Sequence, residues 1–289
     1  MPPRNFLGIP TANSQLATSS YVILPVPYEE TATYGKGTQY GPAAIIAASQ
    51  EVELFDDEIG REPYLAGIHT APSVEITSVG AKAQNEIVYK SCRELVQQGK
   101  VVGMLGGEHS ISFGAVRACL EKYPDLTVLQ LDAHADLRDG YLGERFSHAA
   151  VMRRIRELTK KTYGVGVRNY SSEENDYIKA EQVSICSAGN AYRNPRWVDE
   201  VVEQLSGDVY LTFDLDAFDP SLLPATGTPE PGGLTWYPVL ELLRKVITKC
   251  RLVSFDVVEL SPIEGNHASD FVAAKLTHKI IGYDSLKRG

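Results

Sequence analysis

Two short segments of the chain, one of which contains a histidine, carry aspartates at a spacing that suits metal binding. The segment DAHAD supplies Asp132, His134 and Asp136, and the segment DLDAFDP supplies Asp214 and Asp216. In an extended chain, residues two apart point in the same direction, so we expect the side chains within each segment to converge. Buried charges are costly unless something pairs with them, and a cation would serve as that partner.

His109, in the segment GGEHS, completes a set of four carboxylates and two imidazoles. Such ligands favour hard-to-borderline divalent ions, and four carboxylates match the charge of two such ions in a site that activates water. We therefore predict two Mn²⁺ ions, although ligand identity alone leaves zinc, iron and nickel open. A single aspartate after a strand is often only a cap or turn residue, which we expect of Asp219 before Pro220.

Each of the three segments follows a short apolar run, which is the pattern of strands that end at one edge of a sheet. Strands are predicted over residues 21–24, 101–105, 127–131, 163–167, 209–213 and 252–255. Helices are predicted over residues 83–98, 111–122, 149–160, 195–204 and 237–249. This alternation indicates an α/β fold with a parallel sheet covered on both faces, and we expect the Pro/Gly-rich segment 222–235 to form an ordered loop above it.

Composition limits the classes of partner. The chain has 289 residues, 43% apolar and 22% charged, without a linker or repeat, so we expect a single domain over residues 1–289. A net charge of −9 argues against nucleic acid or an anionic membrane as partner and suits a small cationic substrate. No apolar run approaches the roughly 20 residues that span a bilayer, and four scattered cysteines predict free thiols in the cytoplasm.

Five motifs together resemble the ureohydrolases, the arginase and agmatinase family. They are GGEHS, DAHAD, FDLDAFDP, ATGTPEPGGLT and DVVELSP, and the likeness extends from GTQYGPAAI, near Gly37, to the segment after Glu259. The resemblance implies an arginase-like, three-layer α/β/α fold around a central parallel sheet. It also implies two manganese ions, hydrolysis of a guanidino group to release urea, and a homo-oligomer, either a trimer or a hexamer.

The resemblance also implies a role for each site residue. The first metal would be held by His109, Asp132, Asp136 and Asp214, and the second by Asp132, His134, Asp214 and Asp216. Glu259 would pair with the substrate guanidinium, and His148, in RFSHAAVMRR, would transfer protons. Taken alone, Glu259 could be a turn carboxylate and His148 a surface histidine at a helix N-terminus, and Ala149 follows His148 where relatives commonly have glycine.

The loop after DAHAD bears on the choice of guanidino substrate. Arginases use Asn and Ser in this loop and an Asp after a Gly-x-Arg triplet, whereas LRDGYLGERFSH lacks asparagine and Asn169 follows the triplet here. The EPGG and SHAAVMRR segments are more similar to agmatinases. We therefore predict hydrolysis of agmatine to putrescine and urea within polyamine synthesis, with N1-aminopropylagmatine, guanidinobutyrate and arginine as alternatives. Tyr141, Arg145 and Met152 are candidates for contacting the distal end of the substrate.

Functions of other classes are less consistent with these residues. A histone-deacetylase-type hydrolase uses one zinc, whereas His109 and Asp136 belong to the other metal position. A degenerate regulatory homologue is disfavoured because every ligand position carries a functional residue type. A nucleotide-binding module would need a GxGxxG or P-loop pattern, which neither GMLGGEHS nor TGTPEPGG follows.

Overall fold

The structure, a computed structural model, describes residues 5–288 and contains an eight-stranded sheet. The strands are β1 (Tyr21–Val26), β2 (Ile68–Thr70), β3 (Val101–Gly106), β4 (Thr127–Leu131), β5 (Thr162–Val167), β6 (Ser184–Ser187), β7 (Asp208–Asp214) and β8 (Arg251–Val258). All neighbours pair in parallel, in the order β2-β1-β3-β8-β7-β4-β5-β6. The six predicted strands are confirmed; β2 and β6, the two edge strands, were not predicted.

Nine helices flank the sheet within residues 5–288. They are α1 (Gly41–Ser49), α2 (Ala81–Gln97), α3 (Ser112–Lys122), α4 (Val151–Leu158), α5 (Ser172–Ala180), α6 (Ala188–Arg193), α7 (Trp197–Gln204), α8 (Trp236–Lys249) and α9 (Ala268–Ser285). Two separate apolar cores result: α1, α7, α8 and α9 pack on one face of the sheet, and α2, α3 and α4 pack on the other. The predicted three-layer α/β/α fold is confirmed.

The apolar strands form because both of their faces are covered. Every residue of β1 and β3 is buried, and alternate residues enter opposite cores: Val102 and Met104 contact one, whereas Val101 and Leu105 contact the other. Burial of an aliphatic side chain of this kind contributes about 1.5–3 kcal/mol. The near-continuous apolar runs in the sequence are therefore explained by packing on two sides.

The strand order brings the carboxyl ends of four strands together at the centre of the sheet. β3 and β4 are joined by one helix in the chain, but β8 and β7 lie between them in space. The register pairs Leu105 of β3 with Val257 of β8, Val257 with Phe213 of β7, and Phe213 with Leu131 of β4. These four strands therefore end at one level, and the segments that follow them share a single edge, where open α/β folds bind ligands.

Within residues 5–288, none of the helices combines the length and apolar character that crossing a bilayer requires. Cys92, Cys119, Cys186 and Cys250 are all buried and unpaired, as the spacing predicted.

Candidate active site

The candidate residues follow the four central strands. His109 lies in a short 3₁₀ turn after β3, Asp132 directly follows β4, Asp214 ends β7, and Glu259 directly follows β8. The sequence separates these residues by up to 150 positions, yet the backbone N–H of His109 donates a 2.6 Å hydrogen bond to Glu259 Oε1. The order of the strands is thus what brings the candidates together.

A first group of side chains surrounds His109 Nδ1. This nitrogen lies 3.2 Å from Asp132 Oδ2, 3.2 Å from Asp136 Oδ2 and 3.3 Å from Asp214 Oδ2. All four side chains are buried. His109, Asp132 and Asp214 each offer a ligand atom within a space that one metal ion could fill.

A second group adjoins the first through Asp132. His134 Nδ1 lies 2.9 Å from Asp216 Oδ2 and 3.6 Å from Asp132 Oδ1, and these three residues could also hold one ion. The two oxygens of Asp132 therefore face different histidines, which is the arrangement expected of a bridging ligand. Asp214 Oδ1 instead accepts a hydrogen bond from the backbone N–H of Asp216 at 2.9 Å, while its Oδ2 faces the first group.

The expectation that these segments are extended is wrong, although their side chains do converge. β4 ends at Leu131, and Asp136 adopts a left-handed backbone conformation with φ of 52°. After Asp214 the chain enters a 3₁₀ turn at Leu215–Ala217. Carboxylates that accept N–H donors two residues later stabilise both turns, because Asp132 Oδ1 accepts from His134 N at 2.6 Å in the same way.

The surroundings of His109 fit a metal ligand. Thr212 Oγ1 lies 2.7 Å from Asp256 Oδ1, to which it donates, and it accepts from His109 Nε2 at 2.8 Å. The proton of the ring is thereby held at Nε2, and the buried Nδ1 has no hydrogen-bond donor. A lone pair that faces three carboxylates is unfavourable unless a cation lies between them, so the donor set fits a divalent ion at this position.

Charge repulsion among the buried carboxylates also indicates that cations bind at this site. Burial, followed by repulsion from Asp132, raises the pKa of Asp136 to about 7. Burial and the neighbouring Asp216 likewise raise the pKa of Asp214 well above its usual range. These aspartates cannot all be ionised near neutral pH without added positive charge, which two divalent ions would supply.

Glu259 is held in a strained conformation at the floor of the pocket. Its φ of 66° lies in the left-handed region, and its backbone N–H is anchored to the carbonyl of Gly107 at 2.9 Å. Burial raises the pKa of Glu259 to about 8, despite the hydrogen bond that it accepts from His109. A buried carboxylate of this kind favours a cationic partner. Backbone strain often persists where the surrounding structure fixes a functional side chain.

His148 lies on the wall of the same pocket, at the start of a 3₁₀ turn before α4. Its Nδ1 lies 2.9 Å from Thr31 Oγ1, and its ring packs edge-on against Tyr141 with 6.0 Å between centroids. Burial is the main cause that lowers the pKa of His148 to about 4. The imidazole is therefore neutral near pH 7.

The pocket has a volume of about 190 Å³, and four of the six candidate metal ligands line it. These ligands are His134, Asp136, Asp214 and Asp216, and His148 and Glu259 line the same pocket. Tyr34, Arg138, Tyr141, Asn169, Tyr170 and Glu174 are among the residues that line the rest.

Only Tyr141 of the three predicted distal contacts lines this pocket. Arg145 pairs with Glu157 on the surface, with an Nη2 to Oε1 distance of 2.7 Å, and Met152, a residue of α4, is buried in the core. Proximity to His148 in the sequence was misleading, because the side chain of Arg145 lies on the surface and α4 directs Met152 into the core. Arg138 is the basic side chain that lines it; its Nε lies 3.7 Å from Glu174 Oε2, and its guanidinium packs over Tyr141.

The segment 222–235 forms an ordered loop, as predicted, and Asp219 organises it. The carboxylate of Asp219 accepts hydrogen bonds from Ser221 N at 3.0 Å, Gly232 N at 2.9 Å and Gly233 N at 3.0 Å. Arg168 fastens the loop to the site, since its Nη2 donates to the carbonyls of Glu230 at 2.7 Å and Asp216 at 2.8 Å. The side chain of Glu230 thereby reaches 4.0 Å from His134 Nε2.

A family model described as "Arginase family" matches residues 19–282, and this range contains every candidate site residue. The chain belongs to the arginase family. It is therefore a ureohydrolase-type hydrolase of amidino C–N bonds, and the predicted family and enzyme class are confirmed.

Several relatives resemble the chain over nearly its whole length. An N(1)-aminopropylagmatine ureohydrolase of Synechocystis is 38% identical over 97% of this chain and 94% of the relative. An agmatinase of Pyrococcus horikoshii is 31% identical, with 96% and 95% covered. The crystal structure of an agmatine ureohydrolase of Thermoplasma volcanium has a TM-score of 0.90 at 29% identity, covering 100% of this chain and 97% of the other.

The sequence did not reveal several residues of the pocket. Tyr34 and Glu174, which line the pocket, and Thr31, which contacts His148, belong to no recognised motif and come from distant segments. Arg138 lies two residues after Asp136, but nothing in the sequence indicates that it lines the pocket. Glu108 could have been found from the sequence. It lies just after an apolar strand, and a carboxylate that is buried there must accept hydrogen bonds from nearby donors.

Proposed function

We propose that the protein hydrolyses the guanidino group of an agmatine-type cation, with N1-aminopropylagmatine as the preferred substrate and agmatine as the second. The observation that carries the proposal is one pocket in which a buried carboxylate, Glu259, lies beside two carboxylate–imidazole groups. The sequence alone favoured agmatine. We now favour the longer cation because relatives that are 35–38% identical are named for it, whereas two relatives named agmatinase are 31% identical.

The metal ligands would be divided between two manganese ions. His109, Asp132, Asp136 and Asp214 would hold the first, and Asp132, His134, Asp214 and Asp216 would hold the second. When bound, the ions would neutralise the carboxylates and activate a water molecule as the nucleophile. Manganese is our choice because oxygen ligands outnumber nitrogen ligands. The divided oxygens of Asp132 support its bridging role, and bridging by Asp214 remains a prediction.

Glu259 would bind the substrate guanidinium. A guanidinium presents a planar fork of N–H donors that matches a carboxylate, and its positive charge would keep Glu259 ionised despite burial. The hydrogen bond from His109 N fixes one carboxylate oxygen, Oε1, and limits where the guanidinium carbon can lie. The electrophilic carbon would thus be held beside the metal groups.

His148 would move a proton during the reaction. Hydrolysis breaks the bond between the guanidino carbon and the alkyl nitrogen, forms urea with the oxygen of water, and requires a proton on the departing amine. A neutral imidazole on the pocket wall can accept a proton from the attacking water and return it to that amine. For N1-aminopropylagmatine the amine product is spermidine, and for agmatine it is putrescine, which places either reaction in polyamine synthesis.

The aromatic residues of the pocket suit a cationic substrate tail. Tyr34, Tyr141 and Tyr170 present aromatic surface, which can contact ammonium groups. Asn169 takes the position where arginases have an Asp after the Gly-x-Arg triplet, and its side-chain amide bonds Glu230 instead of facing a free ligand. A carboxylate tail would have to compete with Glu174 for Arg138. We therefore rank guanidinobutyrate and arginine below the two cations.

We also propose that residues 1–289 form a single ureohydrolase domain and that the protein is a homo-oligomer of three or six chains. The single sheet supports the first statement, since its strands extend from Tyr21 to Val258. Size measurement by light scattering would test the second.

The test is urea release from the manganese-loaded protein with four substrates compared by kcat/KM. We expect the order N1-aminopropylagmatine, agmatine, guanidinobutyrate, arginine. A preference for arginine or guanidinobutyrate would contradict the assignment of the substrate tail. Failure to release urea from any of the four, with metal bound, would contradict the proposed function.

A further inference from the structure

Glu108 is a buried carboxylate that connects the metal edge to the loop after β1. It directly precedes His109, and its Oε2 accepts hydrogen bonds from the backbone N–H groups of Glu30 at 2.8 Å, Thr31 at 2.6 Å and Ala32 at 3.2 Å. The loop at residues 30–32 is therefore tied to β3 through one side chain. Because Ala32 lines the pocket, this carboxylate also fixes part of the pocket wall.

The hydroxyl of Thr31 lies between Glu108 and His148. Its Oγ1 is 2.7 Å from Glu108 Oε1, 2.9 Å from His148 Nδ1 and 3.1 Å from the backbone nitrogen of His148. Glu108 Oε1 also accepts from the Ser110 hydroxyl, so five donors converge on the carboxylate. Every one of these partners donates to the carboxylate, which is the environment of an ionised group.

The direction in which the Thr31 hydroxyl donates its proton determines the tautomer of the His148 ring. An ionised carboxylate has no proton to offer, so Thr31 donates to Glu108 and its oxygen must accept from both groups of His148. His148 therefore carries its ring proton at Nδ1. The other ring nitrogen, Nε2, is left without a proton and has no hydrogen-bond partner within the described residues.

We infer that Thr31 and Glu108 are positioning residues that hold His148 as the Nδ1–H tautomer, with Nε2 free to accept the proton of the attacking water. The inference rests on the proposed function for its catalytic meaning, but the tautomer itself is a property of the protein. In catalytic histidines generally, the hydrogen bond at one ring nitrogen determines whether the other nitrogen can act as the base. Here the hydroxyl of Thr31 transmits the effect of the carboxylate.

Thr31→Val separates the proposed role of the hydroxyl from the structural role of the Thr31 backbone. The backbone N–H of Thr31 anchors the loop to Glu108 without the hydroxyl, so Thr31→Val removes the contact with His148 and leaves the three backbone bonds in place. Thr31→Ser keeps the hydroxyl and serves as the matched control. Both variants preserve a small side chain at this position.

A double-mutant cycle with His148→Ala separates the two roles. We expect Thr31→Val to lower kcat about ten-fold or more while KM changes little, and Thr31→Ser to restore most of kcat. In the His148→Ala background, Thr31→Val should have no further effect, because the residue through which it acts is gone. Equal losses in both backgrounds, or a full kcat for Thr31→Val in active protein, would overturn the inference.

Nitrogen-15 NMR tests the tautomer independently of turnover. The full chain, labelled at its six histidines and loaded with diamagnetic Zn²⁺, would be compared with His148→Ala for assignment. We expect the Nδ1 resonance of His148 to have the shift of a protonated ring nitrogen, and Thr31→Val to move it toward the unprotonated value. An Nε2–H tautomer in the unsubstituted protein would overturn the inference. An inactive wild-type protein with the expected tautomer would contradict the proposed function alone.

Discussion

The carboxylate of Glu259 accepts a 2.6 Å hydrogen bond from the backbone N–H of His109, the residue whose imidazole faces three aspartates. The proposed guanidinium-binding group is thereby fastened to the segment that carries a proposed metal ligand. Binding of the guanidinium and activation of water by the metals would then be coupled by one short contact between the segments that follow β3 and β8.

Glu259→Gln tests the charge of this group. Glutamine keeps an oxygen that can accept from His109 N, so we expect manganese content to be unchanged. Loss of the buried ion pair with the substrate should cost about 2–5 kcal/mol, which lowers kcat/KM at least about thirty-fold. Steady-state urea release and metal analysis would measure both quantities. Glu264→Gln, an exposed change five residues later, is the control; unchanged kcat/KM for Glu259→Gln would contradict the assignment.

Asp132→Ala tests the bridging ligand. Each oxygen of Asp132 faces a different histidine, so its removal should weaken both metal positions and abolish urea release. We expect metal content to fall from about two ions per chain to below one. Asp125→Asn is the control, because Asp125 is exposed and pairs with Lys161 on the surface. Near-normal turnover by Asp132→Ala, or the retention of both ions, would refute the bridging role; Asp214→Ala is likewise expected to abolish turnover.

Thr212→Val tests the support behind His109. Thr212 accepts from His109 Nε2 and donates to Asp256, and this chain of hydrogen bonds directs Nδ1 toward the aspartates. Its loss should weaken manganese affinity about 10–100-fold, as for other groups that orient a metal ligand. Calorimetric titration would measure the affinity. Thr212→Ser, which keeps the hydroxyl, should bind manganese as the wild type does. A wild-type manganese affinity for Thr212→Val would contradict the role of Thr212 in orienting His109.

Asp219→Asn tests the support of the proline-rich loop. Hydrogen bonds from Ser221, Gly232 and Gly233 hold the pKa of Asp219 at about 2, below its ordinary value of 3.8. A carboxylate with a lowered folded-state pKa contributes stability above its unfolded-state pKa and loses it as pH falls through the folded-state value. Urea denaturation should therefore show a deficit for Asp219→Asn at neutral pH that narrows between about pH 4 and pH 2. A deficit independent of pH would contradict this reading.

Much of the site could be predicted from the sequence because its ligands follow strands whose apolar pattern is clear. β4 and β7 are read directly from TVLQL and VYLTF, and the carboxylates after them are adjacent in the chain. The order of the strands could not be predicted, since nothing local states that β8 and β7 lie between β3 and β4. β2 has only three residues, too few to show a pattern.

Long-range polar contacts were equally hidden. α9 is buried on nearly all sides although it contains Lys279, which pairs with Asp56 at 2.8 Å across 223 positions of sequence. Thr31 reaches His148 across 117 positions. Such partners depend on the completed fold, and neither residue type nor local spacing indicates them.

The most direct test of the central claim is urea release from N1-aminopropylagmatine as manganese is returned to chelator-treated protein, with bound metal measured in parallel. We predict negligible activity without metal and full activity only as binding approaches about two ions per chain. Full activity in metal-free protein, or a rate that reaches its maximum at one bound ion, would contradict a binuclear hydrolase.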